Sequence, residues 1–112
     1  MIDSYDFEEV VIDGKSYRAD VIILPDRVID NWWRDEGHKL CPTDLWDAVQ
    51  AGPEVLVVGT GYYGAMEVLP ETYDYLRQKG IELRVERTAG ACQLYNRLCA
   101  SRRVAAALHL TC

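Results

Sequence analysis

The chain has 112 residues, 49% of them hydrophobic, and a formal net charge of −6. That size and apolar content fit one domain, residues 1–112, able to bury about two thirds of its unfolded surface without a disulfide or metal staple. The negative balance argues against nucleic acid as a main partner, since phosphate binding needs clustered Lys and Arg, and no apolar run reaches transmembrane length.

The opening residues Met1 to Asp6 are acidic and lack the apolar core of a signal peptide. Cys41, Cys92, Cys99 and Cys112 follow no secreted-domain framework. The expectation is reduced thiols in a cytoplasm.

Residues 5–12 alternate acidic with apolar and aromatic side chains, and Asp13-Gly14 supplies the positive-φ chemistry of a hairpin turn. Residues 16–24 then read as the returning strand, stopped by Pro25. A short extended piece is expected from Arg27 to Trp33, followed by a polar loop over 34–41. Thr43 is placed to cap a helix over 44–51, with Leu45, Trp46 and Val49 on its apolar stripe.

The second half has a different pattern. Val55 to Val58 is a continuous apolar run, which suits a strand covered on both faces. Pro70 can open a helix with Tyr73 and Leu76 on one face and Gly80 beyond its end. Ile81 to Glu86 is the next strand. Thr88 can cap a helix over 89–101 whose stripe is Cys92, Tyr95, Leu98 and Cys99, and Val104 to Leu110 is the last strand. Residues 54–110 therefore read β-α-β-α-β. The predicted fold is a layered α/β architecture, with a central mixed sheet and an N-terminal β-hairpin beside it.

Gly59-Thr60-Gly61-Tyr62-Tyr63-Gly64 is a literal G-x-G-x-x-G after a buried strand. In a dinucleotide site such glycines let backbone N–H groups approach a phosphate, and Glu82 or Glu86 would stand near a ribose. Pro70 leaves little room for the helix that motif requires, and one β-α-β-α-β unit is half of a usual dinucleotide fold. No cofactor is assigned. The alternative is a sharp turn at a crowded strand end, on the rim of a crevice that could hold a small ligand. Candidate ligand-binding residues there are Gly59, Thr60, Gly61, Tyr62 and Thr88, with Arg34, Glu36 and His38 contributed by the polar loop.

His38/Cys41 and His109/Cys112 have zinc-like H-x-x-C spacing, but on a strand His109 and Cys112 would face opposite ways, so no metal is assigned. Cys92 sits where a helix N-terminus could activate a thiol, yet it also fits the apolar stripe. No catalytic residue is assigned. Trp32 and Trp33 are candidate interface residues if either is exposed.

Several of these features resemble one family. They are Leu56 to Gly61, Leu69-Pro70, Lys79-Gly80-Ile81, Thr88, Tyr95-Asn96, Val104 to Ala107, and His109-x-Thr111-Cys112. The family groups small single-domain proteins of bacteria and archaea with the adipogenesis-associated cytoplasmic protein of animals and the mitochondrial respiratory complex I assembly factor three. The resemblance implies a layered α/β fold with a hairpin beside the sheet, and no established enzymatic activity, metal or nucleotide. Members elsewhere in the family keep the first glycine and Gly61 but can replace Thr60 and the third glycine. The resemblance favours a protein-interaction or assembly-type domain with a protein partner, acting through the Trp32–His38 loop and the edge at Gly59–Tyr63. A ligand binder or enzyme using the strand-end crevice is the alternative, and self-association stays open.

Overall fold

A computed structural model describes all 112 residues. Ten strands and three helices follow in order: β1 (Ile2–Asp6), β2 (Glu9–Ile12), β3 (Lys15–Tyr17), β4 (Val21–Ile23), β5 (Val28–Ile29), β6 (Lys39–Leu40), α1 (Trp46–Gln50), β7 (Val55–Gly59), β8 (Glu67–Val68), α2 (Pro70–Gln78), β9 (Glu82–Glu86), α3 (Thr88–Leu98) and β10 (Val104–Leu108). A 3-10 turn over Pro42–Leu45 precedes α1.

The central sheet has the order β5-β4-β10-β7-β9. Strands β9, β7 and β10 are parallel, whereas β4 and β5 join as antiparallel neighbours. The chain runs from β7 outward to β9, then back across β7 to β10. Crossovers of one hand in opposite directions put α2 and α3 on opposite faces. Side-chain alternation serves both faces. Val55, Val57, Val104, Ala106 and Leu108 pack with α3, while Leu56, Val58, Ala105 and Ala107 pack with α1 and α2. This double cover is why β7 and β10 are apolar without interruption.

The N-terminal hairpin is a three-stranded meander, β1-β2-β3, packed on the α3 side. The β2–β3 turn sits at Asp13 and Gly14, both at positive φ as the sequence suggests. Glu8, at φ 70, breaks the expected 5–12 strand into β1 and β2. The expected 16–24 strand is likewise divided, because Arg18 to Asp20 carry the chain from the small sheet into the central one.

Several helix details differ from the pattern reading. Thr43 lies inside the 3-10 turn, and Asp44 does the capping by accepting from the Cys41 N–H at 2.9 Å. Trp46 and Tyr73 are exposed, and Ala48, Thr72 and Leu76 take the buried positions. In such short helices one apolar residue does not establish which face is inside. Thr88 is the first residue of α3 rather than its cap. No helix is long and apolar enough to cross a membrane.

Candidate functional site

The site begins with the ends of β7 and β10, paired at Gly59 and Leu108. Beyond them the two chains stay together. Tyr62 N–H donates to the Thr111 carbonyl at 2.6 Å, and the Tyr63 and Ala65 N–H groups donate to the Cys112 backbone oxygen at 3.2 and 2.9 Å. Thr88 ties the knot from inside α3. Its hydroxyl donates to the His109 carbonyl at 2.6 Å and accepts from Gly61 N–H at 2.8 Å.

This knot accounts for the glycines. A Cβ on Gly59 would lie 2.8 Å from the Thr88 hydroxyl, and one on Gly61, at φ +115, would lie 2.4 Å from the Cys112 backbone. It also accounts for the amides. Thr60 N–H donates to Glu86, Gly64 N–H to Gly61 and Met66 N–H to Thr60. With the donors above, the Thr60 to Met66 amides are all engaged by the protein itself, and none is left to cradle a phosphate. Thr60 and Thr88 are buried, and Tyr62 is partly exposed.

On the other side of the 109–111 segment lies a cleft of about 590 Å³, walled by Arg18, Asp20, Trp33, Arg34, His109 and Thr111 among others. Its floor is a buried polar triad. Asp20 Oδ2 accepts from Arg34 Nη2 at 2.9 Å and lies 2.8 Å from His109 Nδ1. Asp20 Oδ1 accepts from Leu110 N–H at 2.7 Å. Burial alone would push the Asp20 carboxyl up, but the hydrogen bonds from His109, Leu110 and Arg34 outweigh it and hold the group below its ordinary range. Arg34 is fixed further by Nε donating to the Gly37 carbonyl at 2.9 Å and by stacking 4.7 Å above the Trp32 ring. Asp20 Oδ2 can only accept, so the contact gives His109 Nδ1 a hydrogen, and Arg34 Nη2 lies 3.1 Å from the same Nδ1. Two polar atoms of the triad have no partner and no contact with solvent, Arg34 Nη1 and His109 Nε2.

Among the sequence candidates, Arg34 lines this cleft. His38 is exposed and packs edge-on against His109, with ring centroids 5.6 Å apart. Glu36 is also exposed and pairs loosely with Lys39 at 3.7 Å. The glycine turn and Thr88 lie across the 109–111 segment and do not line the cleft. The tryptophan pair divides. Trp33 is 79% exposed on the cleft wall, whereas Trp32 is buried with its Nε1–H donating to the Asp44 carbonyl at 3.1 Å. Trp32 thus packs in the core beneath the cleft, and Trp33 is the exposed member of the pair.

No three His, Cys, Asp or Glu side chains converge as a metal cluster. Cys92 is buried, which pushes its thiol up to about 12 and leaves the group unreactive at neutral pH. Sequence reasoning missed Asp20. Its only local signal is an acidic residue interrupting an otherwise apolar strand approach, and its partners lie 14 and 89 positions away in the chain.

A second exposed feature flanks the same segment. Phe7, Tyr62 and Tyr63 are solvent-exposed and stacked edge to face, with Phe7–Tyr62 centroids at 5.6 Å and Tyr62–Tyr63 at 5.0 Å. Tyr5 backs them and donates its hydroxyl to the Leu110 carbonyl at 2.8 Å. The 109–112 segment therefore runs between the cleft with Trp33 on one side and an aromatic patch on the other.

This layered fold, with its triad and knotted strand ends, defines a small α/β domain of a recognisable kind. Residues 2–109 match the family described as protein of unknown function (DUF498/DUF598), and the chain belongs to it. The NADH dehydrogenase [ubiquinone] 1 alpha subcomplex assembly factor 3 of Xenopus tropicalis is 31% identical over 110 residues, covering 95% of this chain and 58% of that protein. This chain thus spans little more than half the length of that relative. Among solved structures, a conserved hypothetical protein from Pyrococcus horikoshii OT3 is 31% identical with a TM-score of 0.85, covering 100% of this chain and 99% of its own. A protein described as an outer membrane protein from Bartonella henselae is 26% identical with a TM-score of 0.85, covering 98% of this chain and 93% of its own.

Proposed function

We propose that this chain is a non-enzymatic protein-interaction domain of the assembly-factor type. The observation that carries the reading is the exposed aromatic surface on both sides of the 109–112 segment: Trp33 on one flank, and Phe7, Tyr62 and Tyr63 on the other. Aromatic rings are costly to leave in water, and they supply much of the binding energy at protein interfaces. The hydrogen bonds of Thr88, Gly61 and His109 fasten the segment that carries Tyr62 and Tyr63, which lowers the ordering entropy that opposes docking there. Relatives named as assembly factors support the same reading.

Cross-linking and affinity capture from native cells test it, comparing the wild-type chain with a Trp33→Ser/Tyr63→Ser double variant. A reproducible partner held by the wild type and lost by the folded variant is the expected result. Capture of the same proteins by both, or of none by the wild type, defeats the proposal.

A further inference from the structure

The triad has a donor and an acceptor with nothing to do. Arg34 and His109 have side chains only 5% and 6% exposed, yet Arg34 Nη1 and His109 Nε2 lack any hydrogen-bond partner. Buried groups of this kind are rare because each forfeits its water without replacement. Both residues line the 590 Å³ cleft, and the exposed indole of Trp33 forms its wall.

The two orphan atoms define a complement. Arg34 Nη1 offers only N–H, and the neutral form of His109, with its one ring hydrogen held at Asp20, offers a lone pair at Nε2. A group that satisfies both carries one acceptor and one donor. Charge narrows the choice, because the Arg34 guanidinium is already paired with Asp20 at 2.9 Å. A carboxylate would set a second anion beside Asp20 and turn its oxygens toward a lone pair, whereas a neutral group meets neither penalty.

We propose that the cleft is a binding site for a primary carboxamide, with its C=O accepting from Arg34 Nη1, its N–H donating to His109 Nε2 and its apolar body against Trp33. Both orphan atoms are sealed from solvent, so binding requires the exposed His38 ring, packed against His109 with centroids 5.6 Å apart, to turn outward. A free small amide and a glutamine or asparagine side chain share this chemistry. The site does not depend on the protein-interaction reading, and either can fail without the other.

Benzamide and benzoate, titrated separately into the full chain at neutral pH, are the probes. NMR of the arginine and histidine side-chain nitrogens reports on the orphan atoms, and tryptophan fluorescence on Trp33. Benzamide should bind in the millimolar range with shifts at Arg34 and His109, and benzoate at least tenfold more weakly. His109→Phe should abolish benzamide binding. Trp33→Ala, at an exposed position that does not threaten folding, should weaken it several-fold. Capped glutamine and glutamate tripeptides separate the sources. Binding of the glutamine peptide as tightly as benzamide assigns a side-chain ligand, and binding of benzamide alone assigns a free amide. Benzoate binding as tightly as benzamide, failure of both, or benzamide shifts that leave Arg34 and His109 unmoved would overturn the proposal.

Discussion

Replacing Thr88 with valine tests whether one hydroxyl holds the strand ends together. Valine is close in shape but neither donates nor accepts, so it strands the Gly61 N–H and the His109 carbonyl, bonded now at 2.8 and 2.6 Å. Thr88 is fully buried, so water cannot replace either bond. Each orphan costs about 1–3 kcal/mol, which sums to about 3 kcal/mol at the lower middle of the range. In a domain of this size that loss lowers Tm by about 10–15 °C. Thr88→Ser keeps the hydroxyl and loses one methyl, a cost of about 1 kcal/mol. Urea unfolding gives the stabilities, and hydrogen exchange at the Gly61 amide gives the local effect: protection should fall sharply in the valine variant and stay close to wild type in the serine one. If valine lies within about 0.5 kcal/mol of wild type, or serine costs as much as valine, the hydroxyl is not what fastens these strand ends.

Asp20→Ala should cost about 3–5 kcal/mol by urea unfolding, because it leaves the buried Arg34 charge uncompensated. Asp20 also contributes a pH signature. Its carboxyl is held below the ordinary range, so its stabilisation is complete above an unfolded aspartate pKa near 3.9 and is lost as pH falls below that value toward the folded one. The stability advantage of wild type over Asp20→Asn should therefore shrink with acidification below about pH 4. Gly61→Ala should lose roughly 2 kcal/mol or more, since it combines positive φ with a Cβ that overlaps the Cys112 backbone, whereas Gly80→Ala, at positive φ in open space, should lose about 1 kcal/mol. Brief iodoacetamide treatment of the native chain, read by peptide mass spectrometry, should label the exposed Cys112 and spare the buried Cys92; equal labelling of both would contradict the burial of Cys92.

The order of the second half was legible from local chemistry. An unbroken apolar run, Pro70 at a helix start and Gly80 beyond its end each act within a few residues, and all three appear as the pattern predicts. The interpretation of Gly59-Thr60-Gly61 as a tight strand-end turn was also within reach, because Pro70 leaves no room for a long helix after it. Which faces of the short helices turn inward was not legible, as the exposed Trp46 and Tyr73 demonstrate. With only about two and a half turns or fewer, the packing partner rather than periodicity chooses the buried side.

The candidate site divides along the same line. Composition and spacing singled out Arg34, His38, the tryptophan pair and the glycine turn as chemically notable residues. Only tertiary structure decided that Trp32 is buried while Trp33 is exposed, that the turn amides are consumed by residues 111 and 112, and that Asp20 joins Arg34 and His109 in one buried triad. A sequence carries strong information about contacts within a turn or a helix, where covalent geometry limits the choices. The triad depends on β4 and β10 lying side by side, a pairing between residues 21–23 and 106–108 that no local pattern encodes.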